Sequence, residues 1–334
     1  MLTEGFNWQH FPGSGTLAVF YNPANGRPPA LPYYKKTMGM KCGRLLISTG
    51  NNEFYQDCVD ELYEIIRKIS SGYEQTIHYG YSQGATGALD QGLRDSKCVA
   101  IFALSPHFVL QRPMSRSAGL MSPDRLATAQ PNLLERIDAN RNRNIYLFLS
   151  VHDIMDGIQV KDALTLSESP LLSRYFLRMG HYLEGVNDPR QVVDDYLENN
   201  CYVLPSRTPV ATDEDIRLAM LAYDLLAATH TGANITNEVL TSLEFAVPCH
   251  ATYSLARYLE AKGQFQRAIN QYVRALGVPS SDLGTVLVCL GNAYVRMGWN
   301  DMALGCYRQA LANNPQNEQA QKCEASLLRR IGHR

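Results

Sequence analysis

Apolar positions along this chain follow two regimes that change near residue 205. Up to that point, short continuous apolar runs alternate with longer stretches of helical period. Leu17 to Tyr21, Arg44 to Ser48, Thr76 to Tyr79, Cys98 to Leu104, Asn144 to Leu149 and Ser173 to Arg178 read as strands, about six in all. Between the second and third, Cys58, Leu62, Ile65, Ile66 and Ile69 fall on one face of a helix over 54–70. Further helices are predicted from the end of the third run to about Asp95 and over 188–199. Residues 107–143 are polar and partly helical. The opening fifteen residues, closed by Pro12-Gly13-Ser14-Gly15, read as loop. Runs that are apolar throughout, rather than alternating, predict strands buried on both faces. The expected architecture for residues 1–205 is therefore α/β, a mostly parallel sheet with helices on both sides.

Past Leu204-Pro205-Ser206-Arg207-Thr208-Pro209 the strand pattern stops, and residues 210–334 read as all-α. Thr212-Asp213-Glu214-Asp215 has the form of a capping box, and helices over 213–230 and 236–246 follow. The chain then repeats itself. Leu255-Ala256, Leu259, Gly263, Ala268, Tyr272 and Ala275 return as Leu290-Gly291, Tyr294, Gly298, Ala303, Tyr307 and Ala310, each shifted by 35 residues. Small residues let paired helices cross closely, the glycines turn the chain, and the tyrosines fill the gap to the next unit. This pattern is similar to the tetratricopeptide repeat, a helix–turn–helix of about 34 residues. It places copies at about 249–282 and 284–317, with a polar capping helix over 316–331. Solenoids of this kind need about three repeats for stability, so the preceding helices or the first domain must cover one open end. The resemblance implies a protein or peptide partner, or self-association, against the simpler alternative of a structural appendage.

The candidate chemistry lies in the first domain. Gly80-Tyr81-Ser82-Gln83-Gly84 follows a predicted strand and opens a helix of small residues (Ala85, Gly87, Ala88). A tight strand-to-helix turn forces the serine into strained backbone angles, and side chains two residues to either side would collide. The alternative is an ordinary βα turn, so partners for Ser82 decide. In parallel sheets ligands bind beyond the carboxyl ends of the strands. The third strand offers Ser82 there, the fifth Asp153 and Asp156, and the sixth His181.

Serine, acid, histidine is the chain order of an α/β-hydrolase, and residues 16–200 resemble a reduced form of that fold that lacks the first hairpin. Gly-Tyr-Ser-Gln-Gly-Ala resembles the elbow of cutinase-like esterases, and the strand ending in Ser105-Pro106 resembles bacterial hydrolase-like proteins associated with polysaccharide biosynthesis. The resemblance implies nucleophilic acyl transfer: Ser82 attacks an ester carbonyl, His181 relays the proton, and Asp153, with Asp156 as the competing acid, orients the imidazole. The oxyanion would be held by the backbone N–H of Gln83 and by one from Tyr21 or Asn22, since Pro23 has none. His78, His107 and His152 compete for the histidine role. The implied substrate is a small-molecule or glycan-linked ester. A non-catalytic scaffold and an acyltransferase with the same triad are the other classes.

Composition narrows the setting. A net charge of −1 gives no general reason to expect nucleic acid or an anionic membrane as partner. No run of 18 apolar residues exists to span a bilayer. The first residues, Met1-Leu2-Thr3-Glu4-Gly5, lack the basic start and apolar stretch of a secretory signal. Eight cysteines without a CxxC pair fit buried, reduced thiols and a cytoplasmic setting. No His/Cys cluster has ligand spacing, so neither metal nor other cofactor is expected. In 107–143, six arginines against three acids leave an excess of three positive charges. That excess fits either an anionic substrate or a solvated helix face.

Overall fold

All six apolar runs become strands, and two more precede them. A computed structural model describes residues 2–3, 6–23, 33–49, 54–112, 117, 121–128, 132–140, 142–179, 183, 186, 188–245, 250–278 and 282–332. In chain order the first part comprises β1 (Leu2–Thr3), β2 (Phe6–Phe11), β3 (Thr16–Tyr21), α1 (Tyr33–Lys36), β4 (Gly43–Thr49), α2 (Val59–Ser70) and β5 (Gln75–Tyr81). It continues with α3 (Gln83–Arg94), β6 (Cys98–Leu104), α4 (Pro123–Thr128), α5 (Leu133–Ala139), β7 (Asn144–Ser150), α6 (Gly157–Thr165), β8 (Leu172–Leu177) and α7 (Pro189–Asn199). The chain divides into two compact units, Met1–Ile216 and Arg217–Arg334.

One eight-stranded sheet, in the order β1-β2-β4-β3-β5-β6-β7-β8, carries the first unit. Strands β3 to β8 run parallel, as expected. The opening residues are not loop, and a first hairpin is present. β1 pairs antiparallel with β2, and β2 pairs antiparallel with β4 through six residues, from Phe6 opposite Thr49 to Phe11 opposite Arg44. Phe-Asn-Trp-Gln-His-Phe reads poorly as a strand because only Phe6 is buried. Its order comes from backbone pairing to β4 rather than from an apolar face.

Burial on both faces explains the continuous runs. On one face Ala18, Phe20, Leu46, Ile77, Tyr79, Phe102 and Phe148 pack against Tyr33 of α1 and Val192, Val193 and Tyr196 of α7. Phe102 stacks on Tyr146 with ring centroids 4.8 Å apart; truncating so buried an aromatic typically costs about 3–5 kcal/mol. On the other face α3 lies close to the strands, where Gly92 meets Ile101 and His78. The open edge at β8 is covered by the chain itself. Ala211 N–H donates to Phe176 O and Arg178 N–H to Pro209 O, both at 2.8 Å, with Val210 bridged antiparallel to Leu177.

The second unit continues α8 (Asp213–Thr231) with α9 (Asn237–Phe245), α10 (His250–Ala261), α11 (Phe265–Ala275), α12 (Leu283–Arg296), α13 (Asn300–Asn313) and α14 (Glu318–Gly332). The capping box at the start of α8 is reciprocal: Asp215 N–H donates to Thr212 Oγ1 at 3.2 Å, and Thr212 N–H to Asp215 Oδ2 at 2.9 Å. Helices α10 and α11 form one pair and α12 and α13 the next. Their turns use Gly263 and Gly298 at φ 73° and 78°, a region that favours glycine. Gly291 has to lack a side chain, because a Cβ there would come 2.5 Å from the Tyr307 ring.

Beneath α3 a buried polar chain ties the first unit together. Asp95 Oδ2 accepts from Thr76 Oγ1 at 2.7 Å and lies 3.2 Å from His78 Nε2, while His78 Nδ1 is 2.8 Å from Tyr21 Oη. With Nε2–H facing the carboxylate and Nδ1 hydrogen-bonded to the Tyr21 hydroxyl, all three groups are satisfied. Burial alone pushes the Asp95 carboxyl up. The hydrogen bond and attraction of His78, with the Thr76 hydroxyl and Lys97 amide, outweigh burial and bring it down to about 2. A depressed carboxyl stabilises the fold above its unfolded value of 3.8, and that stability is lost as pH falls through about 2. We therefore expect Asp95→Asn to lower the first unit's stability by about 2 kcal/mol near pH 6 and to flatten its acid limb. Urea unfolding between pH 2 and 6, followed by Trp8 fluorescence in a Trp299→Phe background, measures both effects.

Candidate active site

Ser82 stands between the end of β5 and the start of α3 at φ 55° and ψ −122°, a backbone conformation costly for any residue but glycine. Its surroundings hold it there. Ser82 N–H donates to Leu104 O at 2.7 Å, and its carbonyl accepts from Ala85 and Thr86 N–H at 2.9 and 3.3 Å. Both flanking glycines are obligatory. A Cβ on Gly80 would come 2.0 Å from Gly84 O, and one on Gly84 would come 2.1 Å from Tyr21 O and 2.9 Å from Asn22 O. Such contacts are with backbone and cannot be relieved by a rotamer change. The pattern forms a strained turn from strand to helix that only glycine can flank.

Strain gathers around this end of the sheet. Phe54 (φ 53°), Tyr55 (φ 64°), Ser105 (φ 49°) and Leu183 (φ 45°) are also left-handed, each on a segment that leaves the carboxyl end of a strand. Strained residues of this kind persist where surrounding contacts over-determine them, and they cluster at functional sites. Tyr55 is pinned by its hydroxyl donating to Asn22 O at 2.7 Å, and Phe54 by a T-shaped contact with His107, ring centroids 4.9 Å apart. No periodicity in the sequence signals two consecutive aromatic residues in this conformation.

The residues singled out in the sequence are placed as follows. Gln83 opens α3, whose first N–H groups take no intrahelical acceptor; its side chain, fully buried, donates from Nε2 to Thr49 Oγ1 at 2.7 Å. Tyr21 is the last residue of β3 and is paired to both neighbouring strands. Asn22 N–H donates to Ile47 O at 3.0 Å, so this amide is committed to the sheet rather than open to a substrate oxygen. Asp153 is half-buried beyond β7, with Oδ1 accepting from Met155 N–H at 2.9 Å. Asp156, 1% exposed, donates its N–H to Asp153 O at 3.1 Å. His181 and Gly180 lie outside the described residues. The chain leading to them is held at Met179, whose carbonyl accepts from Ser150 Oγ at 2.6 Å and from His152 N–H at 3.3 Å.

The other histidines are engaged elsewhere. His78 belongs to the buried chain under α3. His107 is fully buried, and its N–H donates to Thr86 Oγ1 at 3.1 Å. His152 is half-buried; burial pushes its imidazole pKa down, against the upward pull of Asp215. Of the arginines in 107–143, Arg116, Arg141 and the side chain of Arg125 lie outside what the structure describes. Arg112 pairs with Asp162 at 2.9 Å, Arg136 with Asp90, and Arg143 is buried, donating to Asp95 O at 2.8 Å. These three bind the segment to the fold through acceptors on other elements. Among the described residues no group of three or more His, Cys, Asp or Glu side chains could hold a metal ion. No described helix is long and apolar enough to cross a membrane.

Comparison with known proteins adds two findings. Residues 284–317 match the family model described as "Tetratricopeptide repeat". That stretch is a tetratricopeptide repeat. Among solved structures, the chain is similar to the capsule O-acetyltransferase of Neisseria meningitidis serogroup A, at 16% identity and TM-score 0.45, over 59% of this chain and 93% of that one. It is also similar to an acetyl xylan esterase from Paenibacillus sp. R4 (14% identity, TM-score 0.44, 57% and 76% covered) and to the Pyrococcus furiosus esterase Pf2001 (12%, 0.38, 56% and 78%). No curated protein matches the sequence. The first unit is an α/β domain on a mostly parallel sheet, and the second is helical and contains the tetratricopeptide repeat.

The close approach at the elbow makes a direct prediction. Gly80→Ala and Gly84→Ala should each destabilise the first unit by about 3 kcal/mol, the upper range of overpacking. Gly72→Ala, whose new Cβ would sit 3.8 Å from Ile69 O, should be near neutral. Urea denaturation of the three variants checks the ranking.

Proposed function

We propose that the first unit is a serine acyl hydrolase in which Ser82 is the nucleophile, His181 the general base and acid, and Asp153 the group that orients the imidazole. The observation that carries this reading is the strained elbow: Ser82 held at φ 55° by backbone contacts on both sides, at the carboxyl edge of a parallel sheet. In the first step the Ser82 Oγ attacks an ester carbonyl while His181 takes its proton. The tetrahedral intermediate collapses, His181 returns the proton to the leaving alcohol, and an acyl-serine remains. Water, deprotonated by His181, then releases the acid and restores Ser82. The Gln83 backbone N–H supplies one oxyanion donor.

Geometry near β7 and β8 supports the pairing of base and acid. Met179, two residues before His181, touches His152, the neighbour of Asp153, and two residues of chain reach at most about 7 Å. Asp156 is the alternative acid, as its carboxylate lies in the same turn. The substrate class is a small or glycan-linked acyl ester, and the helical unit, with its tetratricopeptide repeat, docks a protein or peptide partner or a second copy. The repeat's first copy occupies about 249–282.

A fluorophosphonate probe tests the catalytic claim. Wild type should label, while Ser82→Ala should be unlabelled and His181→Ala should label at least a hundredfold more slowly. Asp153→Asn should slow labelling more than Asp156→Asn; the reverse result moves the acid to Asp156. A wild-type chain that resists the probe under conditions where known serine hydrolases react is a non-catalytic scaffold. Acceleration of ester consumption by added alcohols, with transfer of the acyl group to them, marks an acyltransferase.

A further inference from the structure

At the carboxyl edge of the sheet the side chain of Asn22 is almost wholly buried, 1% exposed, with neither Nδ2 nor Oδ1 in any hydrogen bond. Buried side-chain amides are nearly always partnered, and an orphan asks for an explanation. Its backbone is meanwhile fixed at both ends: N–H to Ile47 O at 3.0 Å, and C=O from Tyr55 Oη at 2.7 Å. The peptide can therefore neither turn to satisfy the side chain nor offer its own N–H to a ligand.

Position gives the orphan amide a use. Tyr21 pairs with Gly80 across β3 and β5, so Asn22 stands in register beside Tyr81, the residue before Ser82. Its carbonyl is close enough to Gly84 that a Cβ there would sit 2.9 Å from it. The segment that follows β3 is thus pressed directly on the elbow. Acyl transfer at Ser82 needs a second hydrogen-bond donor for the developing oxyanion. Tyr21 is in the ladder, the Asn22 amide is spent on Ile47, and Pro23 has no N–H.

We propose that the Asn22 side chain, through Nδ2–H, is the second oxyanion donor, and so a catalytic residue for an acyl ester at Ser82. This rests on the reading of Ser82 as nucleophile. The amide gains its hydrogen bond only when negative charge develops on the substrate oxygen, which is where binding accelerates a reaction. Removing a group that is unsatisfied in the free protein then harms the reaction without harming the fold, the reverse of what a structural asparagine does.

The test uses the full chain and its Asn22→Ala and Asn22→Leu variants. Two quantities are measured: the second-order rate of Ser82 labelling by a fluorophosphonate, whose phosphoryl oxygen takes the oxyanion position, and the thermal midpoint. We expect labelling about a hundredfold slower, with a midpoint equal to or above wild type in at least one variant. Labelling within tenfold of wild type in either folded variant overturns the assignment and leaves Ser82 as nucleophile. A midpoint lowered in both variants also overturns it and makes Asn22 structural. If wild type itself does not label, the nucleophile reading fails and this assignment falls with it, a result visible before any variant is compared.

Discussion

The backbone of Gly84 lies against the Tyr21 and Asn22 carbonyls, and much of the first unit follows from that contact. It brings the start of α3 onto the end of β3 with no side chain between. The distance is short enough to force β5 to end in a single strained residue, and that residue is Ser82. Strain at one position is affordable only because the sheet on either side is rigid. Phe20, Tyr79, Phe102 and Phe148 fill one face, and α3 closes on the other. The elbow is thus a property of the whole sheet, which Gly80-x-Ser82-x-Gly84 merely permits.

The polar chain under α3 serves the same end from below. Asp95, His78 and Tyr21 run from the carboxyl end of α3 to the last residue of β3. Tyr21 also meets Gly87 of α3 and the ring of Tyr55. Helix, strand and strained aromatic turn are thereby locked to one another through a single side chain. Asn22, next in sequence, inherits this fixity in its backbone, and its side-chain amide is left without a hydrogen bond.

Much of this was legible in the sequence, for identifiable reasons. Five strands, β3 to β7, announced themselves because both faces are buried and their runs are mostly apolar, while the half-buried edge strand β8 was carried by Tyr175, Phe176 and Leu177. The elbow was legible because only glycine tolerates 2.0 Å approaches, and the repeat because small residues must recur where helices cross. The first hairpin was hidden, since Asn7, Gln9 and His10 carry no apolar pattern and the strand is defined by its ladder with β4. The left-handed Phe54 and Tyr55 were hidden too, as their conformation depends on partners distant in sequence. So was the engagement of the Asn22 amide: which N–H groups a sheet consumes is a matter of register. The engagement of Arg112, Arg136 and Arg143 was hidden in a similar way, because their acceptors, Asp162, Asp90 and main-chain carbonyls, come from other elements.

The short antiparallel seam at β8 bears on how the two units came to share a chain. Residues 209–211 look like a tether, yet Phe176, Leu177 and Arg178 depend on them for pairing. A first unit severed at residue 205 would present the bare polar edge of β8 to solvent and to other copies of itself. Modularity here is incomplete: the tether is also the sheet's last hem, so the first unit ends where the all-helical stretch begins and not where α7 stops.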